Sequence, residues 1–535
     1  MGKLVNFLKI KHTLFFSTIL FFGGLIHAQE PIRQTDENGK IRFQTDQVNL
    51  NGQNENYQNP AEMNIVWPFP DVNISENPTQ DSWDVRLAVG KNNGNAYVVY
   101  NDNYSNGLQK IMFRKKTGTD EWTEPIYVDQ GGEIGARNNH FPAIAVAPNG
   151  DLHVTYNVWA FENVRNYIGY SYYDAATDTW SDGLKISDLG GTVNHFNSYH
   201  DVYSTDENYP VVVWGYDNRA NQVNEEIYMK YFDGENWSAD IPVSAENDGF
   251  DAGIPMIRKL GQGDSNKAMI IYSERISDSA MELRYRIYDE TTHELSEPQT
   301  ISSENIFSNN YAFSSSESET LVLTIHKENS PPRDVLNVYA YDFTEETFSL
   351  FPTPYEVDAN AGGLLKRIDM DCITDNCGIV YSDFLAHTLT FLQFNLNEGF
   401  VAPEVVVQQN PGLDAPSIRM SNNGNVHLAW SDYRFDNGEG FDEREVFYKL
   451  GINNLLGTND AQLSEIMIYP NPSKGKFYIA TEKNYALDIF DFSGKRVYST
   501  HISGFSEVQT KLVPGVYTVR LTNAKEVRFK KLIIK

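Results

Sequence analysis

A chain of 535 residues with 43 Lys and Arg against 72 Asp and Glu, a formal net charge of −29, lacks the dense basic surface that phosphate backbones require, so nucleic acid is excluded as a partner. The same balance excludes a broad electrostatic grip on an acidic polysaccharide; an anionic substrate would need a local basic cleft or a bound cation. With aromatics at 13 %, 31 Tyr and 30 Phe, and no sustained helical periodicity after residue 30, the chain reads as all-β.

At the N-terminus Lys3, Lys9, Lys11 and His12 precede an apolar stretch from Leu14 to Ile26 that ends at Ile26-His27-Ala28. The stretch is too short for a stable span, which predicts a secretory signal peptide over residues 1–28 and no transmembrane segment in the mature protein. Residues 29–60 are polar and rich in Asn and Gln, and predict a flexible lead-in. Asn64 to Val72 (NIVWPFPDV) is apolar again and is expected to supply a strand to the last of the repeats described next, closing a ring and hiding its edges.

The repeats have their clearest copy at His140 to Trp159, HFPAIAVAPNGDLHVTYNVW, where two alternating runs flank the turn Pro148-Asn149-Gly150. That is a hairpin signature. Related hairpins lie at Val85 to Tyr100, Val202 to Trp214 and Ala415 to Trp430, and seven aromatic-rich third strands follow along the chain, from Lys110 to Arg114 through to Glu445 to Leu450. A period of roughly fifty to sixty residues with four antiparallel strands per unit predicts a seven-bladed β-propeller over residues 61–451. Trp122, Trp180 and Trp237 recur at matching positions and are expected to pack between blades, as His153 and its counterpart His427 are. Cys372 and Cys377, the two cysteines, sit in MDCITDNCG, where an oxidising compartment allows a small loop-closing disulfide. The Asp and Glu excess reads as solvated surface; no EF-hand loop is present, no cofactor is called for, and Ca²⁺ is the metal left open.

After a linker at 452–463 the character changes. Tyr469-Pro470-Asn471-Pro472, Gly475, the strand Ala486 to Phe492 with its turn Ser493-Gly494-Lys495, Leu512-Val513-Pro514-Gly515-Val516-Tyr517 and the basic end Lys530 to Lys535 resemble the type A C-terminal sorting domain of the type IX secretion system of Bacteroidetes bacteria. The resemblance implies a small β-sandwich over residues 464–535, read by the secretion machinery. It also implies a protein that is secreted or held at the cell surface.

Function in a propeller sits where loops of several blades meet the channel. At the entrance of the second blade stand Arg137, Asn138, Asn139 and His140; at that of the third stand His195, Tyr199 and His200, with Arg219 after its second strand and Arg434 mirroring it in the seventh. These types suit β-elimination on a uronate polysaccharide, which needs a group on the sugar carboxylate, a base for the α-proton and an acid for the leaving oxygen. Arg219 would hold the carboxylate, Tyr199 with His140 or His200 would act as base and acid, and Arg137, Asn139, His195 and Arg434 would bind substrate. His140 ahead of PAIAVAPNGDLHV and Tyr199 followed by a hairpin ending in Arg219 resemble, loosely, the seven-bladed propeller ulvan lyases. Those carry a second His about twenty residues after the first; here that neighbourhood is Val158-Trp159-Ala160. The alternatives are a sialidase-like glycoside hydrolase, suggested by incomplete Asp-box turns, and a glycan-binding propeller without catalysis.

Overall fold

The computed structural model describes residues 33–35, 41–43 and 63–535, except 78–80, 92, 104–107, 118–120, 132–133, 135–136, 161–164, 188–194, 219–224, 245–250, 262–265, 278–279, 304–310, 317, 330–331, 358–364, 384–386, 409–412, 435–443, 454–466, 470, 482–483, 492–494, 504 and 524–526. The predicted signal peptide and Arg219 lie outside the described residues. Two compact units are formed, Met1–Asn56 and Tyr57–Lys535. In the first, Arg33–Thr35 pairs antiparallel with Ile41–Phe43, a hairpin inside the stretch expected to be a flexible lead-in.

The second unit contains seven successive antiparallel sheets, the blades. From the inside outwards, blade 1 is Ser82–Val89, Ala96–Asn103, Gln109–Lys115 and Ile126–Tyr127. Blade 2 is Asn138–Val146, Leu152–Ala160, Arg165–Asp174 and Thr179–Trp180; blade 3 is His195–Ser204, Pro210–Asn218, Glu225–Tyr231 and Ile241–Pro242. The inner strands of blades 4 to 7 are Ala252–Lys259, Tyr311–Ser315, Leu365–Ile373 and Leu413–Met420. Each inner strand contacts the next in turn, and that of blade 7 contacts that of blade 1. Together they line a central channel.

Blade strands are apolar on both faces because a blade has a neighbour on each side. Along Ala96–Asn103, Tyr97 and Val99 pack towards blade 2 whereas Ala96, Val98 and Tyr100 pack towards blade 7. Seven apolar clusters fill the seven gaps between blades, including the one between blade 7 and blade 1. At about 1.5–3 kcal/mol for each fully buried large side chain, these gaps carry most of the stabilising burial. Trp122, Trp180 and Trp237 sit within or against them, as expected. His153 and His427 are enclosed, each with Nδ1 2.8 Å from a tyrosine hydroxyl on the third strand, Tyr170 and Tyr448 respectively.

The ring closes with a borrowed strand. Ile65 and Val66 pair with Asn453 and Ile452, and Val72 and Asn73 pair with Tyr448 and Phe447 of blade 7. Blade 7's third strand therefore runs through Asn453, into the stretch expected to be linker, because those residues have a partner strand. Polar contacts latch the seam. Asp71 accepts from Arg434 at 3.0 Å and Lys449 at 2.8 Å, Asp81 is gripped by both Nε and Nη2 of Arg444, and buried Glu445 accepts from Ser75 and the Asn77 backbone. Cys372 and Cys377 face each other across the inner hairpin of blade 6 and form the expected disulfide.

The C-terminal sandwich has a three-stranded sheet, Met467–Tyr469, Lys476–Ala480 and Phe505–Gln509, and a four-stranded one, Arg496–Ile502, Tyr485–Phe490, Gly515–Thr522 and Val527–Ile534. Phe477, Ile479 and Val508 of the first meet Leu487, Ile489, Val519 and Leu532 of the second. The motif residues are its ties: Asn471 bonds the Lys531 carbonyl and the Ile533 N–H, and the Tyr517 hydroxyl donates to the Val513 carbonyl at 2.7 Å. Among the described residues no helix is long and apolar enough to cross a membrane.

Candidate active site

Inner strands share a device that alternation in the sequence conceals. In blades 1, 2, 3, 4, 6 and 7 the pairing with the second strand skips two residues: Asp84-Val85, Phe141-Pro142, Ser198-Tyr199, Ile254-Pro255, Lys366-Arg367 and Ala415-Pro416. Such bulges bend a strand and re-aim side chains. The first position is left-handed in blades 1, 2 and 4, with φ of 48° at Asp84, 53° at Phe141 and 53° at Ile254. In blades 1 and 4 it is occupied by side chains that turn inward, Asp84 at 5 % exposure and Ile254 at 7 %. Blade 2 instead presents Phe141 at 41 %. At the second position Val85, Pro142, Pro255 and Pro416 are buried, whereas Tyr199 of blade 3 is 49 % exposed. Blades 2 and 3 thus turn the shared bulge outward, on adjacent inner strands.

His140 immediately precedes the blade 2 bulge. Its ring is half-buried, with centroids 5.3 Å from Trp159 and 5.9 Å from Phe141. Burial pushes its pKa down to about 4, with Asp84 opposing from blade 1, so the imidazole is neutral at neutral pH. Behind it, buried Asn101 of blade 1 fixes the bulge by donating to the Asn139 carbonyl at 2.9 Å and accepting from the Phe141 N–H at 2.9 Å. Asn101, Phe141 and Trp159 escape the sequence reading; the only signal was the polar end of an otherwise apolar strand, Tyr100-Asn101-Asp102.

His200 follows Tyr199. Its Nδ1 shares a 2.9 Å hydrogen bond with the Thr155 hydroxyl of blade 2, and burial lowers its pKa to about 4, with Asp201 and the Phe141 carbonyl opposing and Arg86 of blade 1 assisting. The Asn157 Oδ1 opposite His140 is buried without a protein partner, the sort of exception that accompanies function. His200 is therefore a wall residue tying blade 3 to blade 2, not the open acid or base expected.

Two expected substrate contacts, Asn139 and Arg434, are placed otherwise. Asn139 is fully buried, its amide donating to Asp129 at 2.5 Å, because the residue before His140 on a strand faces the opposite side. Arg434 stacks 3.8 Å over Phe447, forks onto Asp432 and reaches Asp71, so it clamps the seam instead of the channel mouth. Its charge is reinforced by those carboxylates against the cost of burial. Arg137 is half-buried beside the strand, its carbonyl accepting from Lys110 at 3.1 Å. His195 opens the blade 3 inner strand opposite Asn218, and the structure describes its backbone alone.

Elsewhere in the channel two ion pairs join neighbouring inner strands in the same way. Asp201 of blade 3 holds Arg258 and the Ile257 N–H of blade 4, and Asp369 of blade 6 holds Arg419 at 2.8 Å and the Ile418 N–H of blade 7. The turns before the fourth strands are staples as well: Asp174, Asp233, Asp289 and Asp342 each accept two backbone N–H groups there. Among the described residues no group of three or more His, Cys, Asp or Glu is placed to hold a metal ion.

No curated protein matches the chain. Among solved structures, it is similar to the polysaccharide lyase Uly1 at 12 % identity and TM-score 0.43, covering 76 % of this chain and 94 % of that one. It is similar to the Penicillium chrysogenum α-L-arabinanase at 11 % and 0.42, covering 72 % and 98 %, and to the NanB sialidase from Streptococcus pneumoniae at 12 % and 0.38, covering 72 % and 70 %. Residues 467–535 match the family described as a secretion system C-terminal sorting domain. With the two-sheet fold and the Asn471 and Tyr517 ties in place, the C-terminal sandwich is a member of that sorting family, and the protein is a type IX export cargo bound for the cell surface or the extracellular space.

Proposed function

We propose that the propeller is a secreted polysaccharide lyase that cleaves a uronate-containing, ulvan-like polymer by β-elimination. The observation that carries this reading is the outward turn of the bulge, among the described residues, in blades 2 and 3, which brings a neutral imidazole and an exposed phenol to adjacent inner strands. In the proposed step His140 takes the C5 proton of the uronate, and the electrons form the C4–C5 double bond. The C4–O4 bond breaks, and the Tyr199 hydroxyl gives its proton to the leaving oxygen. The imidazolium returns its proton to the phenolate, which leaves an unsaturated uronate and a new hydroxyl end. His140 suits the base because its lone pair stays available down to about pH 4. Arg219 keeps its proposed place on the sugar carboxylate.

The test is ultraviolet absorbance of the full chain incubated with ulvan and other uronate polysaccharides. A rise from the unsaturated product that disappears in Tyr199→Phe supports the reading. New reducing ends without absorbance would replace it with hydrolysis, and neither signal with retained binding would replace it with a lectin.

A further inference from the structure

Of the eight tryptophans, Trp159 alone is exposed, at 37 %, while the other seven are buried or half-buried. It stands at the end of blade 2's second strand, paired with Asn138, and reaches across to His140. Phe141, the next residue, has its ring 5.9 Å from the same imidazole and is 41 % exposed, on a left-handed residue that costs about 1 kcal/mol or more to hold in an aromatic. Buried Asn101 over-determines that conformation through two hydrogen bonds. An apolar core would have no reason to keep these rings in water, and the chain's charge of −29 denies a polyanion any long-range attraction. A ligand must then be gripped at short range.

We infer that Trp159 and Phe141 form a stacking subsite for a pyranose ring, flanking His140 and holding the sugar unit next to the one acted upon. Aromatic faces bind the C–H face of a sugar irrespective of its charge. The inference rests on the propeller handling a polysaccharide, and its test reads binding, not turnover. Calorimetric titration of the full chain with ulvan fragments and, separately, with linear arabinan is the measurement. Trp159→Ala is expected to raise the Kd about tenfold for whichever probe binds, with Trp159→Phe recovering most of the loss and the melting temperature unchanged. Wild-type affinity for ulvan fragments is expected to hold or improve between about 0.03 M and 0.3 M salt, since screening relieves repulsion. Unchanged affinity in Trp159→Ala, a loss matched by destabilisation, affinity that collapses with salt, or no binding of either probe by the wild type would each overturn the subsite. Absence of elimination with the Trp159 effect intact would overturn the lyase reading alone.

Discussion

The bulges of blades 2 and 3 and those of blades 1, 4 and 7 are one backbone device put to two uses. In the latter, buried Asp84-Val85, Ile254-Pro255 and Pro416 help build the wall. In the former, Phe141 and Tyr199 leave the wall for solvent. The histidines divide the same way. His140 keeps a half-buried ring beside exposed Trp159, whereas His153 and His427, on second strands, are sealed against tyrosine hydroxyls. A repeat can thus set one backbone bend in six of seven blades and, among the described residues, turn it outward in two.

The comparison can be broken hardest at Tyr199. Tyr199→Phe is expected to lower kcat on the cleaved polymer by about 10³-fold with a melting shift of at most about 1 °C, read by the absorbance assay alongside thermal melts. A wall residue would show the reverse, and Arg434→Ala should: removal of a half-buried clamp of Asp432 and Asp71 is expected to cost about 3 kcal/mol in urea unfolding. Next come the sealed histidines. Burial lowers His153 to about 4 and His427 to about 3, from about 6.5 unfolded, so their contribution is full above pH 6.5 and is lost as pH falls towards 4, by about 3 kcal/mol each. Asp102, raised by burial to about 6, works in the opposite sense, its contribution being lost as pH rises from about 4 through 6. Stability should therefore decline below pH 6.5, and melts of His427→Asn should decline less steeply. The smallest effect is a gain: Glu346 has φ of 53° in the blade 5 turn with an exposed side chain, and Tyr285 bonds only its carbonyl. Glu346→Gly is expected to add about 1 kcal/mol in the same unfolding assay.

Blades, ring closure and the sorting domain were legible because their signals are local or periodic: alternating strands, Asn-Gly turns, and the YPNP and PGVY runs that tie the last sheet. The site was legible only as a neighbourhood. Asn139 and His140 are adjacent in sequence and opposite in burial, and two skipped residues decide which side faces water. Arg434 resembles a rim arginine until Asp71, more than 360 residues earlier, is folded beside it. Phe141 and Trp159 read as ordinary strand aromatics because exposure is a property of the assembled ring.

The seam between Ile65 and Asn453 also sets a timetable. Bringing together ends so distant along the chain costs loop-closure entropy on the order of 5 kcal/mol, and the reward arrives only when blade 7 exists. Blade 1 can dock on blade 2 early, but its other flank stays bare until the last repeat is available. The covalent crosslink, in blade 6, does nothing to guard that joint. A protease cut in the short connection between Val66 and Val72 would thus free the Ile65–Val66 strand and leave the joint to Val72, Asn73 and the polar latch.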